Sequence, residues 1–250
     1  MQNLHILNTS SEAGAEAARD ATETLKQLLS KKQTVNIVLA TGMSQVDMLN
    51  DLTDSREIDW SRVRMFHLDE YVGLSESHPA SFRKYLKERF IQKVSPSLQE
   101  VNLIRGDAPE PHAECKRLNE KIRSFTIDLE LLGLGENGHV AFNDPPADFE
   151  TTEPYIVVEL DKVCRNQQLK EGWFPDFESV PKKAITMSVH RIMKAEQIIC
   201  TVPGKQKAEA VRNCLEKGVS HQYPGSILQK HPNCRYYLDK DSASLLRGRL

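Results

Sequence analysis

Short apolar runs alternate along the chain with segments whose apolar residues recur at helical spacing. Six runs have the length and β-branched content of buried strands: TVNIVLA (34–40), VRMFHL (63–68), TIDLELLGL (126–134), AITMSV (184–189), AEQIICTV (195–202) and CRYYLD (234–239). Because their apolar residues are continuous rather than alternating, these runs are typical of parallel strands that are covered on both faces.

The segments between these runs predict helices. SEAGAEAARDATETLKQLLSKK, residues 11–32, reads as an amphipathic helix with Ser10 or Ser11 as its N-cap. The same spacing recurs in SHPASFRKYLKERFIQKV (77–94), HAECKRLNEKIRSF (112–125) and GKQKAEAVRNCLEKG (204–218). Strands that alternate with helices favour an α/β fold with a doubly wound, largely parallel sheet and helices on both faces.

The length of 250 residues allows one large α/β domain or two small ones. Neither an internal repeat nor a low-complexity linker interrupts the pattern, so we expect a single domain over residues 1–250. The stretch of about 143–183 is rich in Pro, Asp and Glu and carries no clear pattern. We interpret it as an irregular active-site flap rather than as a domain boundary.

The composition of the chain limits the cellular compartments and the binding partners that we expect. The net charge of -2 provides no basic field for nucleic acid or an acidic membrane. No apolar run approaches the roughly 20 residues that span a bilayer, and the N-terminus lacks the pattern of a secretory signal. The cysteines, at positions 115, 164, 200, 214 and 234, are odd in number and widely spaced. We therefore expect a cytoplasmic protein with neither a disulfide framework nor a zinc site.

Four polar segments follow predicted strands: ATGMSQ, DEYVGL, GENGHVAFND and PGKQK. Ligands of an open parallel sheet bind outside the carboxyl ends of its strands. Because those ends share one edge of the sheet, we expect the four segments to line one site.

Two of the segments suit an anion. Thr41, Gly42, Met43 and Ser44 lie between a strand and a helix, where hydroxyls, close backbone and a helix N-terminus favour a phosphate group. A loop with a serine N-cap explains this segment equally well. Lys207 lies at the start of another helix, either as a second anion ligand or as a solvated lysine.

The other two segments suit proton transfer. Asp69 follows an apolar strand, where partial burial raises a carboxyl pKa and suits the group to general-base catalysis. The alternative is an Asp-Glu pair that starts a turn, with one member in solvent.

His139 is suited to acid/base work near neutral pH, and Asn137 and Asp144 lie close enough in sequence to orient it. A buried structural histidine with a capping aspartate is the alternative there. Metal-binding side chains are lacking nearby in sequence, which favours proton transfer over a ligand role.

The motifs DEYVGL, GENGHVAFND and GKQKAEAV, in this order and at these separations, resemble the glucosamine-6-phosphate deaminase (isomerase) family. The resemblance extends from about residue 36 to the closing DKDSASLL, and TGMS and IDWSRVRMFHLDEY agree with it. Related sugar lactonases share the fold and a Gly-x-x-x-Gly-His element.

The resemblance implies a Rossmann-like fold of the NagB type and a sugar-phosphate isomerase/deaminase domain. The implied reaction is aldose–ketose isomerisation of an amino-sugar 6-phosphate with loss of ammonia, without a metal or an organic cofactor.

The resemblance also implies residue roles. Asp69 resembles the base that moves a proton between C1 and C2, and His139 resembles the acid/base that opens the sugar ring. Asn137 and Asp144 resemble the partners that hold the histidine. The residues that resemble the phosphate clamp are Thr41, Gly42, Met43, Ser44 and Lys207, with Arg165 of the flap as a further phosphate contact.

Several positions depart from the pattern common in the family. Some members have an aspartate where this chain has Asn137, and many have a glutamate where it has Asp144. Because the Asp144 side chain is one methylene shorter, His139 must lie closer to Asp144 or be bridged to it by water. Gln45 replaces a proline, and the flap reads CRNQQLKEGWF (164–174) instead of a Ser-Arg-Phe-Phe pattern. These differences leave open a galactosamine-6-phosphate deaminase, a 6-phosphogluconolactonase-like hydrolase and a non-catalytic sugar-phosphate-binding regulator. A homo-oligomer is also open, since many family members form oligomers.

Overall fold

The computed structural model describes residues 3–248, and its strands fall into two sheets. The strands are β1 (Leu4–Leu7), β2 (Val35–Leu39), β3 (Val63–His67), β4 (Asp69–Tyr71), β5 (Glu100–Asn102), β6 (Leu129–Leu132), β7 (Tyr155–Glu159), β8 (Lys183–Met187), β9 (Ile198–Val202) and β10 (Cys234–Asp239). The larger sheet has the order β1-β10-β9-β6-β2-β3-β5, and its strands pair in parallel. The predicted parallel sheet is therefore confirmed.

Helices cover both faces of this sheet. The helices are α1 (Ser10–Leu29), α2 (Val46–Asp54), α3 (Phe82–Leu86), α4 (Pro111–Ile122), α5 (Lys162–Lys170), α6 (Val189–Ile192) and α7 (Ala208–Glu216), of which α5 packs instead against β4 and β8. Successive side chains of β2 enter two separate cores: Ile37 packs with α1, α2 and α3, while Val38 packs with α4, α6 and α7. Apolar residues at successive positions are therefore needed, because each face of the strand is buried.

The N-cap of the first long helix lies one residue before the two predicted cap positions. Thr9 is the N-cap of α1, and its side chain accepts a hydrogen bond of 3.1 Å from the amide of Glu12. The Glu12 carboxylate accepts one of 2.9 Å from the amide of Asn8. The assignment of the cap to Ser10 or Ser11 was wrong, because Thr9 offers the same hydroxyl and Ser10 is already the first residue of the helix.

The run AITMSV does not join the parallel sheet. It forms β8, which pairs antiparallel with β4 and β7 in a second sheet of order β4-β8-β7. An apolar run shows burial but not the direction of its partner, so the sequence could not separate the two arrangements. The chain enters this second sheet directly after β3, since only Leu68 separates β3 from β4.

The region 143–183 is more ordered than predicted. It contains β7 and the nine-residue helix α5, which begins after Asp161 as N-cap and ends before Gly172, at φ 81°. The expectation that this region is irregular was therefore wrong for these two elements, and its role as an active-site flap stays a prediction. No helix within residues 3–248 has both the length and the apolar content to cross a membrane.

Candidate active site

A cavity of about 440 Å³ lies at the carboxyl edge of the parallel sheet. The segments that follow β2, β3, β6 and β9 all contribute to its wall, as the position of ligand sites in such sheets predicts. Its lining includes seven of the residues singled out from the sequence: Thr41, Gly42, Met43, Ser44, Asp69, His139 and Lys207.

Asp69 lies in β4 and is only 6% exposed. Burial, with a smaller contribution from the neighbouring Glu70, raises the pKa of Asp69 to about 8. The carboxyl group can therefore exchange a proton near neutral pH, as a general base must.

Glu70 points away from the cavity, because successive side chains alternate across a strand. Its carboxylate accepts hydrogen bonds from the amides of Tyr71, Phe82 and Arg83 at 2.9, 3.2 and 2.8 Å. The Ser81 hydroxyl donates a further one at 3.0 Å. Neither member of the Asp-Glu pair is in solvent, so the alternative of a solvated turn residue is wrong.

His139 lies against the backbone of the glycine loop after β6. A Cβ atom at Gly135 would overlap the imidazole ring, so the loop needs glycine at that position. The Nδ1 atom of His139 lies 3.0 Å from Oδ1 of Asp144. The shorter side chain of Asp144 therefore reaches the ring without an intervening water.

Two further groups hold Asp144. Asn137 Nδ2 donates to Asp144 Oδ1 at 3.0 Å, and the amide of Asp161 donates to Asp144 Oδ2 at 3.0 Å. Burial acts to raise the pKa of Asp144, but the contacts with His139, Asn137 and Asp161 together lower it below its usual value. Asp144 is therefore held as a carboxylate behind the imidazole.

Asn137 connects the histidine loop to helix α5. Its Oδ1 accepts from the amide of His139 at 3.0 Å, and its Nδ2 also donates to Asp161 Oδ2 at 3.2 Å. The sequence did not single out Asp161, which caps α5 from a position remote in the chain. An asparagine fits here because its amide group serves two carboxylates that a third carboxylate would repel.

The two loops assigned to a phosphate have the same local design. Gly42 and Gly204 have φ of 96° and 99°, and each is followed by a 3₁₀ turn that leads into a helix, α2 or α7. Positive φ values of this kind favour glycine. Backbone N–H groups at the start of a helix favour anions, so both loops fit the predicted phosphate role.

Lys207 is the single lysine among the residues lining the cavity and is 6% exposed. Burial lowers the pKa of Lys207, while the nearby carboxylates of Glu171 and Glu136 oppose this effect. Burial of a charged lysine at the start of a helix costs free energy of folding unless an anion pairs with it. The position therefore supports an anion-binding role over a solvated lysine.

Arg165 does not reach the cavity. Its guanidinium donates to the carbonyl groups of Phe177 and Val180 at 2.7 and 2.9 Å and lies 4.0 Å from the centre of the Phe177 ring. The predicted phosphate contact of Arg165 is corrected accordingly, because this side chain braces the loop that follows α5.

Helix α5 instead places Gln167, Gln168 and Glu171 in the cavity wall. Gln167 Nε2 donates to Glu171 Oε1 at 2.8 Å, and Gln167 Oε1 accepts from the amide of Glu136 at 3.1 Å. This wall was not predicted from the sequence, because residues 143–183 show no clear pattern. The signal was present in Asp161 and Gly172, a capping residue and a terminating glycine spaced for a short helix.

Comparison with known proteins agrees with the motifs. A family model described as glucosamine-6-phosphate isomerases/6-phosphogluconolactonase matches residues 8–236. A glucosamine-6-phosphate deaminase of an Exiguobacterium species is 37% identical over 229 residues, 92% of this chain and 87% of that protein. Glucosamine-6-phosphate deaminase 1 of Bacillus subtilis is 34% identical over 233 residues, 92% of this chain and 93% of that protein.

Solved structures give the same result for the fold. A structure described as a monomeric glucosamine-6-phosphate deaminase superposes with a TM-score of 0.89 at 32% identity, covering 97% of this chain and 99% of that one. The 6-phosphogluconolactonase of Trypanosoma brucei superposes with a TM-score of 0.80 over 98% of each chain, but at 18% identity it supports the fold alone. The chain is a member of the glucosamine-6-phosphate isomerase/6-phosphogluconolactonase family.

Proposed function

We propose that the protein is a glucosamine-6-phosphate deaminase, which converts glucosamine 6-phosphate and water to fructose 6-phosphate and ammonia. The observation that carries the proposal is that Asp69 and His139 line one cavity whose wall also holds two glycine-helix corners and Lys207. A buried carboxyl group, a histidine held by a carboxylate and an anion site are the parts that the reaction requires. Several relatives that share at least 30% identity over most of the chain are named glucosamine-6-phosphate deaminases.

Ring opening is assigned to His139. The contact of Nδ1 with Asp144 keeps the proton on that nitrogen and leaves Nε2 to accept the O1 proton and deliver one to the ring oxygen O5. The product of this step is the open-chain aldehyde.

Isomerisation is assigned to Asp69. The carboxylate removes the proton at C2, and the resulting carboxylic acid delivers a proton to C1. The double bond then lies between C2 and nitrogen, and water adds to C2 as ammonia departs. Burial raises the pKa of Asp69 to about 8, and the cationic amine of a bound substrate would favour its carboxylate form.

The phosphate group is assigned to the loops at Gly42 and Gly204 and to Lys207. Binding energy from this remote anion holds C1 and C2 near Asp69, which lowers the entropic cost of reaching the transition state.

Amino-sugar catabolism in the cytoplasm is the setting we propose, since the five cysteines are buried and unpaired. A homo-oligomer stays a prediction that light scattering after size exclusion would test.

Release of ammonia and fructose 6-phosphate from glucosamine 6-phosphate tests the proposal directly. Galactosamine 6-phosphate and a 6-phosphogluconolactone serve as comparison substrates under the same conditions. Turnover of glucosamine 6-phosphate with equal amounts of the two products supports the proposal. Turnover of only the galactose epimer or only the lactone would replace it, and phosphosugar binding without turnover would favour a regulator.

A further inference from the structure

Three potential metal ligands of different chemistry meet behind the cavity. A ring nitrogen of His139, a carboxylate oxygen of Asp144 and the sulfur of Cys164 all lie within 4.8 Å of one another. Cys164 is fully buried, and the side chains of His139 and Asp144 are 10% and 6% exposed. Buried clusters of this kind differ from the exposed acidic groups that are common on protein surfaces.

The donor set fits one class of ion. Zinc takes imidazole nitrogen, carboxylate oxygen and thiolate sulfur at about 2.0–2.3 Å, whereas magnesium and calcium take oxygen ligands. Ligands at these bond lengths around a tetrahedral ion are roughly 3.5 Å apart. The separation of 3.0 Å between His139 Nδ1 and Asp144 Oδ1 requires only a small opening to admit such an ion.

The surrounding hydrogen bonds hold the three ligands in place. Asp161 Oδ1 accepts from the amide of Cys164 at 2.6 Å, and the amide of Asp161 donates to Asp144 at 3.0 Å. Asn137 joins the two carboxylates of Asp144 and Asp161. Outer contacts that orient the ligands strengthen a metal site, because less ordering is left for the binding step.

We propose that His139, Asp144 and Cys164 bind a thiophilic divalent cation, with zinc preferred, and that the bound ion inhibits the enzyme reversibly. Binding releases the thiol proton of Cys164, and the imidazole proton of His139 moves from Nδ1 to Nε2. The metal then occupies the nitrogen that Asp144 otherwise pairs with, and the imidazole can no longer act as a proton shuttle. The binding part of this inference is independent of the proposed function, and the inhibition rests on it.

Cobalt(II) is the probe for binding, because a tetrahedral cobalt site with a thiolate ligand has visible d–d bands and a near-ultraviolet charge-transfer band. The full-length protein, first treated with a chelator, is titrated with cobalt and then with zinc in competition. We expect one ion per chain and both kinds of band. Cys164→Ser should lose the charge-transfer band and bind zinc roughly tenfold or more weakly. Cys115→Ser, at another buried cysteine, is the matched control and should behave like the parent protein.

Asp144→Asn is a second binding variant, which should keep the charge-transfer band while its zinc affinity falls. Circular dichroism confirms that each variant is folded. An unchanged band in Cys164→Ser, loss of the band in Cys115→Ser, or no cobalt binding by the parent protein would overturn the site.

Inhibition is measured as the zinc concentration that halves the rate, relative to the metal-free rate of the same variant. We expect this concentration to be roughly tenfold or more higher in Cys164→Ser than in the parent protein, and to be unchanged in Cys115→Ser. The rate of the parent protein should return when a chelator is added. Cobalt binding with the expected spectrum but no loss of deaminase activity would overturn the inhibitory role. If no variant shows deaminase activity at all, the cobalt titration still decides whether the site exists.

Discussion

The carboxylate of Asp144 lies 3.0 Å from Nδ1 of His139, although its side chain is one methylene shorter than glutamate. The loop between Asn137 and Asp144 makes this approach, and the amide of Asp161 fixes the far oxygen of the carboxylate at 3.0 Å. This geometry supports the proposed role of Asp144 as a positioning residue, which would hold the imidazole with Nε2 available to the substrate.

Asp144→Asn should therefore lower kcat while leaving phosphosugar binding nearly unchanged. An amide at this position can donate to Nδ1 and so favours the wrong tautomer, which costs a proton-transfer step about a hundredfold or more. Steady-state kinetics and calorimetric binding of glucitol 6-phosphate separate the two quantities. Asp148→Asn, outside the cavity, is the matched control. A loss of binding as large as the loss of kcat would make Asp144 a structural residue instead.

Asp69→Asn should remove turnover almost completely, because an amide cannot accept the C2 proton; the loss expected for a general base is about 10²–10⁴-fold. Binding of glucitol 6-phosphate should persist, since the anion loops are unchanged. The comparison variant is Asp47→Asn, which removes another carboxylate from the cavity lining and should have a much smaller effect on kcat. Equal losses in the two variants would contradict the assignment of the base to Asp69.

The sequence contained enough information to place Asp69, His139 and Lys207 in one site, because parallel strands bring the segments after them to one edge. It did not contain the contacts of α5 in readable form. Asp161 reaches Asn137 and Asp144 from 24 and 17 positions away, and such contacts depend on the packing of the whole region. The second sheet was missed for the same reason, since β4 is three residues long and defined by its partner β8.

Asn137→Asp tests why this chain carries an amide beside the histidine. The new carboxylate would face Asp144 and Asp161, whose oxygens lie 3.0 and 3.2 Å from Asn137 Nδ2. Repulsion among three carboxylates should lower thermal stability at pH 7, and the loss should shrink as the pH falls towards 5 because protonation removes a charge. Thermal unfolding at the two pH values measures this. A loss of stability that does not depend on pH would indicate a packing defect instead.

Glu171→Gln tests the charge of the cavity wall. The lining contains the carboxyl groups of Asp47, Asp69, Glu136 and Glu171 but only one lysine, Lys207. Removing one carboxylate near Lys207 should tighten the binding of inorganic phosphate several-fold, and the gain should shrink at high salt. Inhibition by phosphate at two ionic strengths measures the effect, with the exposed Glu209→Gln as control. Weaker phosphate binding in Glu171→Gln would show that this carboxylate mainly keeps Lys207 charged.

Glu130 lies in the core beneath the site, and burial, opposed by Arg191, raises its pKa to about 8. Within residues 3–248 neither oxygen of this carboxylate has a hydrogen-bond partner. The folded state thus keeps a proton that the unfolded chain loses above about pH 4.5. This group therefore contributes its full stability below that pH, and the contribution is lost as the pH rises towards 8.

Glu130→Gln removes that dependence, because glutamine stays neutral. Its thermal stability relative to the parent protein should increase steadily between pH 5 and pH 8, as followed by circular dichroism. Glu114→Gln is the contrasting variant, since the Glu114 carboxylate pairs with Arg117 at 2.6 Å and its removal should reduce stability. The stability of Glu130→Gln relative to the parent protein could instead be the same at pH 5 and at pH 8. That result would show that Glu130 is charged in the folded protein.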